Sequence, residues 1–260
     1  LSYEIADFLN LTYRIGMDRT NMDNDYMINK NGVQGSAVLG LYETTVRNIM
    51  NYDQIVNLNG AVELSEDLDL DFLVGANLKS RDYKYQQITS TDMFIFDFFD
   101  HSNFTTTTAN TYVSRENTYG AYANVTLGYK DWGFLTASAR NDWTSTLEEA
   151  NRSFLYPSVS LSVLPLDALS ISNQNLNFLK VRFGFGTSAG YPPPYSTRGS
   201  LATSTNVFKT AGGTTLNSNA VSNFYANPDL TPEIHKELEL GIEGKFFKNR
   251  VGLDVSLYTC

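Results

Sequence analysis

The residues of this chain that could do chemistry are mostly carboxylates and amides, and their spacing favours binding over catalysis. Asp18, Asp23 and Asp25 fall close together, with Asn21 and Asn24 between them. Carboxylate and amide oxygens are the ligands that Ca²⁺ prefers, provided that a loop can wrap around the ion. The sequence predicts a polar loop over residues 19–35, which makes these three aspartates weak calcium candidates. Our prediction is nevertheless that the chain has no metal site.

Nucleophilic, nucleotide and nucleic-acid chemistry find no support. The two histidines, His101 and His235, lie far apart, and no G-x-S-x-G nucleophile motif occurs. Glycine-rich stretches lack the lysine and the following helix of a phosphate loop. The single cysteine, Cys260, excludes an internal disulfide and a cysteine-based zinc site. A net charge of −9 argues against binding to phosphate backbones. We therefore predict no enzyme activity, no cofactor and no nucleic-acid partner.

The elements that position these residues alternate between apolar and polar side chains. Leu238, Leu240 and Ile242 share one face of a predicted strand, and Glu239 and Glu243 occupy the other. Residues 251–258 repeat the pattern after a tight turn at residues 248–250. Because successive side chains of a strand point to opposite sides, this segment is a two-faced hairpin.

Roughly nine strands of this kind follow one another, many of them about 10 residues or longer, near the length that crosses a bilayer when tilted. Short connections are predicted near residues 6, 66, 131 and 249. Long connections are predicted over residues 19–35, 87–115, 145–152 and 187–231. This alternation is typical of outer-membrane barrels. The predicted fold class is all-β: part of a large antiparallel transmembrane β-barrel with short periplasmic turns and long extracellular loops.

The polar face of such a barrel would line its lumen. Glycine and serine are frequent there, which suits a wide, wet interior that needs no bulky filling. The residues predicted to face the lumen are Arg14, Asn57, Asn59, Asn77, Tyr122, Asn124, Arg182, Glu239, Glu243 and Asp254.

Aromatic residues concentrate in two of the predicted long loops. An exposed aromatic loop marks a contact surface for a partner or substrate, or a loop that packs on itself, and both interpretations stay open here. The candidates for contact with a partner or substrate are Phe94, Phe96, Phe98, Phe99, Phe104, Tyr191 and Tyr195.

Three motifs in order carry a family resemblance. The first comprises residues 140–147 (RNDWTSTL) and 151–162, the second is LKVRFGFGTSAG over residues 179–190, and the third is NPDLTPE over residues 227–233 with the hairpin after it. Together they cover most of residues 114–258 and resemble the late barrel of SusC/RagA-type TonB-dependent transporters of Bacteroidetes.

This resemblance implies a place in the bacterial outer membrane, in contact with its lipid. It implies an importer of glycans or peptides, a SusD-like surface lipoprotein as a lid, and energy from the TonB complex through a segment outside this sequence. Residues 1–260 would be a fragment of the barrel domain, without plug, TonB-contact segment, signal peptide or closing carboxy-terminal strands. The alternatives are a passive outer-membrane channel or adhesin barrel, and a soluble β-sandwich binding module.

Overall fold

The chain folds almost entirely into strands. The computed structural model describes residues 1–33, 35–199, 201–209, 211–213, 215–221 and 225–260, with the backbone alone for residues 37, 201–209 and 215–221. The strands are β1 (Ser2–Ala6), β2 (Leu9–Ile28), β3 (Leu41–Ser65), β4 (Leu68–Met93), β5 (Phe104–Tyr129), β6 (Gly133–Thr144), β7 (Ser153–Val163), β8 (Leu176–Gly190), β9 (Leu201–Lys209), β10 (Thr215–Val221), β11 (Glu233–Phe246) and β12 (Val251–Thr259). Helices α1 (Ser36–Leu39) and α2 (Pro165–Ala168) and a 3-10 turn (His101–Asn103) are short.

Ten of the described strands form one sheet in the order β1-β2-β3-β4-β5-β6-β7-β8-β11-β12, and β9 pairs with β10 in a separate two-stranded sheet. β1 and β12 are therefore the edge strands of the large sheet. The chain divides into two compact units. The first unit comprises Leu1–Arg14, Ile55–Asn77 and Thr118–Cys260, and the second comprises Ile15–Gln54 and Leu78–Asn117.

In the first unit the antiparallel register sorts the side chains onto two faces. Cross-strand partners on the apolar face form a row of Leu127, Leu135, Leu161, Phe183, Leu240 and Leu257. Cross-strand partners on the polar face form a row of Thr126, Thr136, Ser160, Gly184, Glu239 and Tyr258. The apolar row stays open to the surroundings, with Phe183 39% and Leu257 68% exposed. The register also assigns the side chains of β6 to the two faces.

The described part of the chain has almost no buried apolar core. Among the described residues, the buried hydrophobic side chains are Met93, Phe104 and Leu147. A soluble β-sandwich would bury one face of each sheet against the other, so the soluble-sandwich alternative disagrees with this structure. None of the described helices has the length and apolar character needed to cross a bilayer.

The tight turn between β11 and β12 uses left-handed backbone conformations without glycine. Phe247, Lys248 and Asn249 all have positive φ, between 53° and 62°. Such conformations are costly for non-glycine residues, and the neighbouring connection holds them in place. The Asn175 carbonyl accepts a hydrogen bond from the Phe247 amide at 2.9 Å, and Asn177 Oδ1 accepts one from the Lys248 amide at 2.6 Å.

The long connection predicted over residues 145–152 is confirmed, whereas the other three are shorter than the sequence predicts. β2 continues through most of the predicted loop 19–35, and β4 and β5 leave residues 94–103 between them instead of 87–115. β9 and β10 lie within the predicted loop 187–231. Apolar and polar side chains alternate along a strand only where one face meets an apolar environment. The backbone hydrogen bonds between strands form without such an environment. An analysis of side-chain alternation therefore misses strands with two polar faces.

In the first unit two of the short turns lie at one end, together with the longer connection 164–175. In the first unit the Lys130 amide donates to the Asp67 carbonyl at 3.0 Å, and the antiparallel succession from β6 to β12 places residues 130–132, 164–175 and 247–250 at one end. The connections that leave β6 and β8 lie at the other end. In the second unit, Asn29 Nδ2 donates to Asp97 Oδ1 at 2.9 Å, so the first two long connections meet.

Candidate functional site

The polar face of the first unit carries a connected group of side chains on β3 to β6. The Tyr122 hydroxyl donates to Asn57 Oδ1 at 2.6 Å, and Arg140 Nη2 donates to Asn77 Oδ1 at 2.7 Å. The Arg140 guanidinium also lies over the Tyr122 ring, 5.2 Å from its centroid. Three residues predicted to face the lumen are thus brought together, with Arg140 as a fourth member that the prediction omitted.

Asp142 extends this group toward the connection that follows β8. Its Oδ1 forms an ion pair with Arg140 Nη2 at 2.7 Å, although this oxygen accepts no well-oriented hydrogen bond from the described residues. Its Oδ2 accepts hydrogen bonds from the hydroxyls of Tyr156 and Tyr191. Burial, and next the charge of Asp142, raise the pKa of the Tyr191 hydroxyl above its ordinary value, so Tyr191 stays a donor. Tyr191, one of the residues predicted to contact a partner or substrate, thus ties the start of that connection to β6 and β7.

Glycines form the floor beneath these side chains. A Cβ at Gly75 would collide with Tyr122 and Asn57, and a Cβ at Gly120 would collide with Arg140 and Asp142. The large side chains therefore lie flat against the sheet instead of standing away from it. This arrangement keeps the space beside the face open.

Arg182 is the centre of a second group, on β8, β11 and β12. Its guanidinium lies 2.6 Å from Asp254 Oδ1 and 3.5 Å from Glu239 Oε1, and it donates to Ser256 Oγ at 2.7 Å. It lies across Gly241, where a Cβ would collide with it. Three predicted lumen-facing residues thus meet in one ion-pair network, which neutralises the arginine.

The remaining predicted lumen residues are more dispersed. Asn59 and Asn124 line a recess of about 330 Å³ on the first unit, together with Asp71. Glu243 pairs with Lys245 at 3.7 Å. Arg14 is exposed on β2.

A larger recess of about 580 Å³ lies on the polar face near β7, β8 and β11. Its lining includes Ser158, Ser160, Gly184, Gly186, Glu237 and Glu239. Val159 and Phe185 line it as well, so the recess combines hydroxyls and carboxylates with apolar surface. Such a surface offers several weak hydrogen bonds.

The aromatic connection 94–103 belongs to the second unit and is held in a fixed shape. Asn103 is buried; its side chain accepts from the Ile95 amide at 3.0 Å and donates to the Phe98 carbonyl at 2.6 Å. As a result Phe94, Phe96 and Phe98 point outward, 61%, 55% and 52% exposed.

The other two phenylalanines predicted as contacts are packed. Phe99 lies 5.9 Å and Phe104 6.3 Å from the ring of Tyr42. His101 stacks on the same ring at 4.5 Å and lies within hydrogen-bonding distance of Ser90 and Thr44. The two interpretations of the run thus apply to different residues: the first part is exposed and the last part packs on itself. In the first unit, Tyr195 is 58% exposed.

The calcium candidates lie on β2 and not in a loop. Asp18 is an odd number of residues from Asp23 and Asp25, so it points to the opposite face of the strand. Among the described residues no group of three His, Cys, Asp or Glu side chains is placed to hold a metal. The loop predicted from residue 19 is wrong as far as Ile28, because β2 stays extended there and pairs with its neighbouring strands.

Sequence analysis passed over Arg140, Asp142 and Tyr156 as site residues, although they lie within the motifs that carry the resemblance. The even spacing of Arg140 and Asp142 on β6, and the pairing of Arg140 with Tyr156 on β7, put all three on the polar face. A period-two analysis of residues 133–144 anchored on Arg140 could have found Arg140 and Asp142, whereas Tyr156 needed the register.

Comparison with known proteins gives consistent results. A family model described as "TonB dependent receptor-like, beta-barrel" matches residues 1–259. TonB-dependent receptor P26 of Formosa agariphila is 27% identical over 139 residues, which are 53% of this chain and 14% of that protein. The chain thus spans about one seventh of that relative.

Solved structures share the fold. The RagAB peptide transporter superposes with a TM-score of 0.83 at 19% identity, over 99% of this chain and 28% of the compared one. BauA, the ferric preacinetobactin receptor from Acinetobacter baumannii, gives a TM-score of 0.55 at 13% identity, over 99% of this chain and 35% of its own.

Proposed function

The chain belongs to the TonB-dependent receptor-like β-barrel family of the outer membrane, and from that premise we propose that it forms part of the barrel wall of an importer. The imported substrate is a glycan or a peptide. A SusD-like surface lipoprotein closes over the outer loops, and the TonB complex supplies energy through a part of the protein outside this sequence. Residues 1–260 are one segment of the barrel domain.

The observation that carries this proposal is the two-faced sheet of the first unit. Its apolar rows stay exposed, as lipid-facing residues do, and its polar face combines arginines, carboxylates, hydroxyls and glycine. A sheet with a lipid-facing row but no polar face on its other side could serve only as a structural wall. The polar face supplies the hydrogen-bonding surface that a hydrophilic cargo needs in order to pass.

The shape of the polar face supports passage more than storage. Tyr122, Arg140 and Arg182 lie flat over glycines, so bulky groups do not block the path. The larger recess offers hydroxyls and carboxylates but no enclosed pocket. Weak, repeated contacts let a cargo enter and leave, whereas one tight site would hold it.

The peptide alternative gains support from the RagAB peptide transporter, whose barrel has the same fold. The glycan alternative rests on the family resemblance alone. For the lid, the support is the fixed outward display of Phe94, Phe96 and Phe98, since exposed aromatics of this kind are enriched at protein interfaces.

The test uses the full-length protein in cells that lack the endogenous copy. Accumulation of labelled oligopeptides and labelled oligosaccharides is measured with the TonB complex intact and deleted. We expect one class to accumulate above its external concentration only when TonB is present. Equilibration at the same rate without TonB would contradict the importer and identify a passive channel.

A further inference from the structure

We propose that Arg47 on β3 binds a carboxylate group of the passing substrate. The inference rests on the proposed import function and names the chemistry of the cargo. The carboxylate can belong to an acidic peptide or to a uronic acid of a glycan. All residues that carry the argument lie in the second unit.

The groups in contact with the Arg47 guanidinium are aromatic and sulfur groups, although Glu43 and Asp53 share its strand face farther along β3. Its guanidinium lies 5.6 Å from the centroid of the Tyr85 ring, and its Nη1 lies 3.9 Å from Met22 Sδ. A thioether is a weak hydrogen-bond acceptor. The face of the Tyr85 ring does not accept a hydrogen bond in the plane of the guanidinium. Most N–H groups of Arg47 therefore remain able to donate to a stronger acceptor.

One of those donors is already withdrawn from solvent. Arg47 Nε is buried and has no hydrogen-bond partner among the described residues. A buried polar group without an acceptor is costly, and the cost is recovered when an acceptor of the right geometry arrives. A carboxylate fits, because its two oxygens match two parallel N–H groups of a guanidinium.

The arginine is also not neutralised. In the part of the chain that the structure describes, no carboxylate oxygen lies within 4 Å of the Arg47 side chain. Arg140 and Arg182 differ in this respect, since each pairs with an acid of its own unit. In the second unit Arg115 pairs with Asp82 at 2.5 Å. Arg47 is thus chemically distinct from the arginines that brace the wall.

The surroundings favour a singly charged, ring-bearing or extended ligand over a phosphate. Tyr83 shares a face of β4 with Tyr85 and lies 6.1 Å from the ring of Tyr112, which makes an aromatic row beside the guanidinium. Asp53 has the same strand parity as Arg47, and its buried Oδ1 lacks a hydrogen-bond partner. That negative charge would disfavour a doubly charged group more than a single carboxylate.

The position along the strand agrees with contact to cargo. Arg47 and its neighbour Val46 point to opposite faces of β3, and Val46 is the exposed apolar residue of the two. Arg47 thus lies on the face opposite that apolar side chain.

The test measures binding of defined probes to the purified full-length receptor in detergent. One pair of probes is a fluorescent tetrapeptide with a free carboxy terminus and the same peptide amidated. The second pair is a fluorescent oligogalacturonate and its methyl ester. The variants are Arg47→Gln, Arg47→Lys and, as a matched control, Arg115→Gln, which removes a guanidinium from the same unit.

We expect the wild type to bind the free acid of one pair at least about tenfold more tightly than the blocked form. Arg47→Gln abolishes this preference and leaves the blocked form unaffected. Arg47→Lys keeps part of it, because the charge remains but the fork is lost. Arg115→Gln keeps it in full. The pair that shows the preference identifies the source of the carboxylate.

Three results would overturn the inference: equal binding of free and blocked probes, no binding of either pair, or an unchanged preference in Arg47→Gln. Loss of thermal stability in Arg47→Gln with an unchanged preference would assign Arg47 to a structural pair with another part of the protein. If TonB-dependent uptake persists in any of these cases, the proposed function stands and the inference alone fails.

Discussion

At the scale of single residues, glycines let large polar side chains lie flat on the polar face. Gly75, Gly120 and Gly241 each lie beneath a large side chain from a neighbouring strand, and in each case a Cβ would collide with it. The collisions involve side chains fixed by hydrogen bonds or ion pairs, so a methyl group there cannot be accommodated by a simple rotation.

Gly120→Ala should therefore destabilise the protein by about 1–3 kcal/mol, the usual range for overpacking. The added methyl would displace Arg140 from Asn77 and Asp142. Gly252→Ala is the control, because nothing lies within 4 Å of its added Cβ. Unfolding of the full-length protein in detergent measures both. Equal stability of the two variants would show that the Arg140 group is free to move.

A second prediction at this scale concerns pH. Arg198 makes two hydrogen bonds of 2.8 Å to Glu148 and, with Thr197, lowers the pKa of Glu148 from 4.5 to about 2. A lowered pKa stabilises the folded form above the ordinary value and loses that contribution as pH falls. The attachment of residues 195–199 should thus be complete above pH 4.5 and weaken from there toward pH 2.

Hydrogen exchange of residues 195–199, corrected for the intrinsic rate, checks this in the full-length protein. Glu148→Gln should exchange rapidly at every pH, since the charge of the pair is absent throughout. Glu149→Gln is the matched control, because Glu149 pairs with Arg152 at 3.5 Å and not with Arg198. Protection that falls equally in both variants would argue against the Glu148 pair as the cause.

At the scale of elements, each strand of the first unit separates two environments. Leu161 and Ser160 are neighbours on β7, and the register puts Leu161 with Phe183 and Ser160 with Gly184. Adjacent residues therefore face different environments, one apolar and one polar. Substitutions at two neighbouring positions of one strand can serve as the test and its control.

Leu161→Arg should cost roughly 2–4 kcal/mol if the residue lies near the bilayer midplane, whereas Ser160→Arg should cost far less. The reason is that Leu161 is exposed on the apolar face, where a charge has no water to solvate it. Unfolding of the full-length protein reconstituted in lipid vesicles gives both values. Similar costs for the two substitutions would contradict lipid contact on this face.

The connection between β4 and β5 gives a second prediction for an element. Replacing both Phe96 and Phe98 with Ser should reduce co-purification of a SusD-like lipoprotein, because these rings are exposed and held outward by Asn103. Phe99→Ser is the control, since Phe99 packs on Tyr42 and should affect local stability instead. Undiminished co-purification with lost uptake would assign the two rings to cargo.

At the scale of the whole molecule, the sheet order leaves two edges. β1 and β12 stand at opposite ends of the ten-stranded order and do not pair with each other. Lipid cannot satisfy the hydrogen-bonding groups of an open strand edge. This agrees with the expectation that the segment does not close on itself.

Residues 1–260 expressed alone should therefore fail to form a closed barrel in detergent, whereas the full-length protein should form one. A closed barrel resists detergent at room temperature and changes its gel mobility only after heating, so heat-dependent migration distinguishes the two. Heat-modifiable migration of the isolated segment would show that β1 and β12 can pair.

The sequence alone determined the fold class and the two faces. Alternation such as Leu238 to Ile242 against Glu239 and Glu243 reflects a single physical constraint, one apolar and one polar environment, which acts residue by residue and is visible without coordinates. Prediction from the sequence failed where that constraint is absent. The polar parts of β2, β4 and β5 pair through backbone hydrogen bonds, which leave no mark on side-chain pattern, so these strands appeared as loops.

Only the tertiary structure decided which polar residues act together. Asn57 and Tyr122 are 65 positions apart in the chain, and Arg182 and Asp254 are 72 apart, yet each pair is joined by a hydrogen bond. These contacts depend on register, which the pairing of whole strands fixes. The same holds for Phe94 and Phe99: both lie in one aromatic run, but the packing of Tyr42 and the bonds of Asn103 decide which ring faces out.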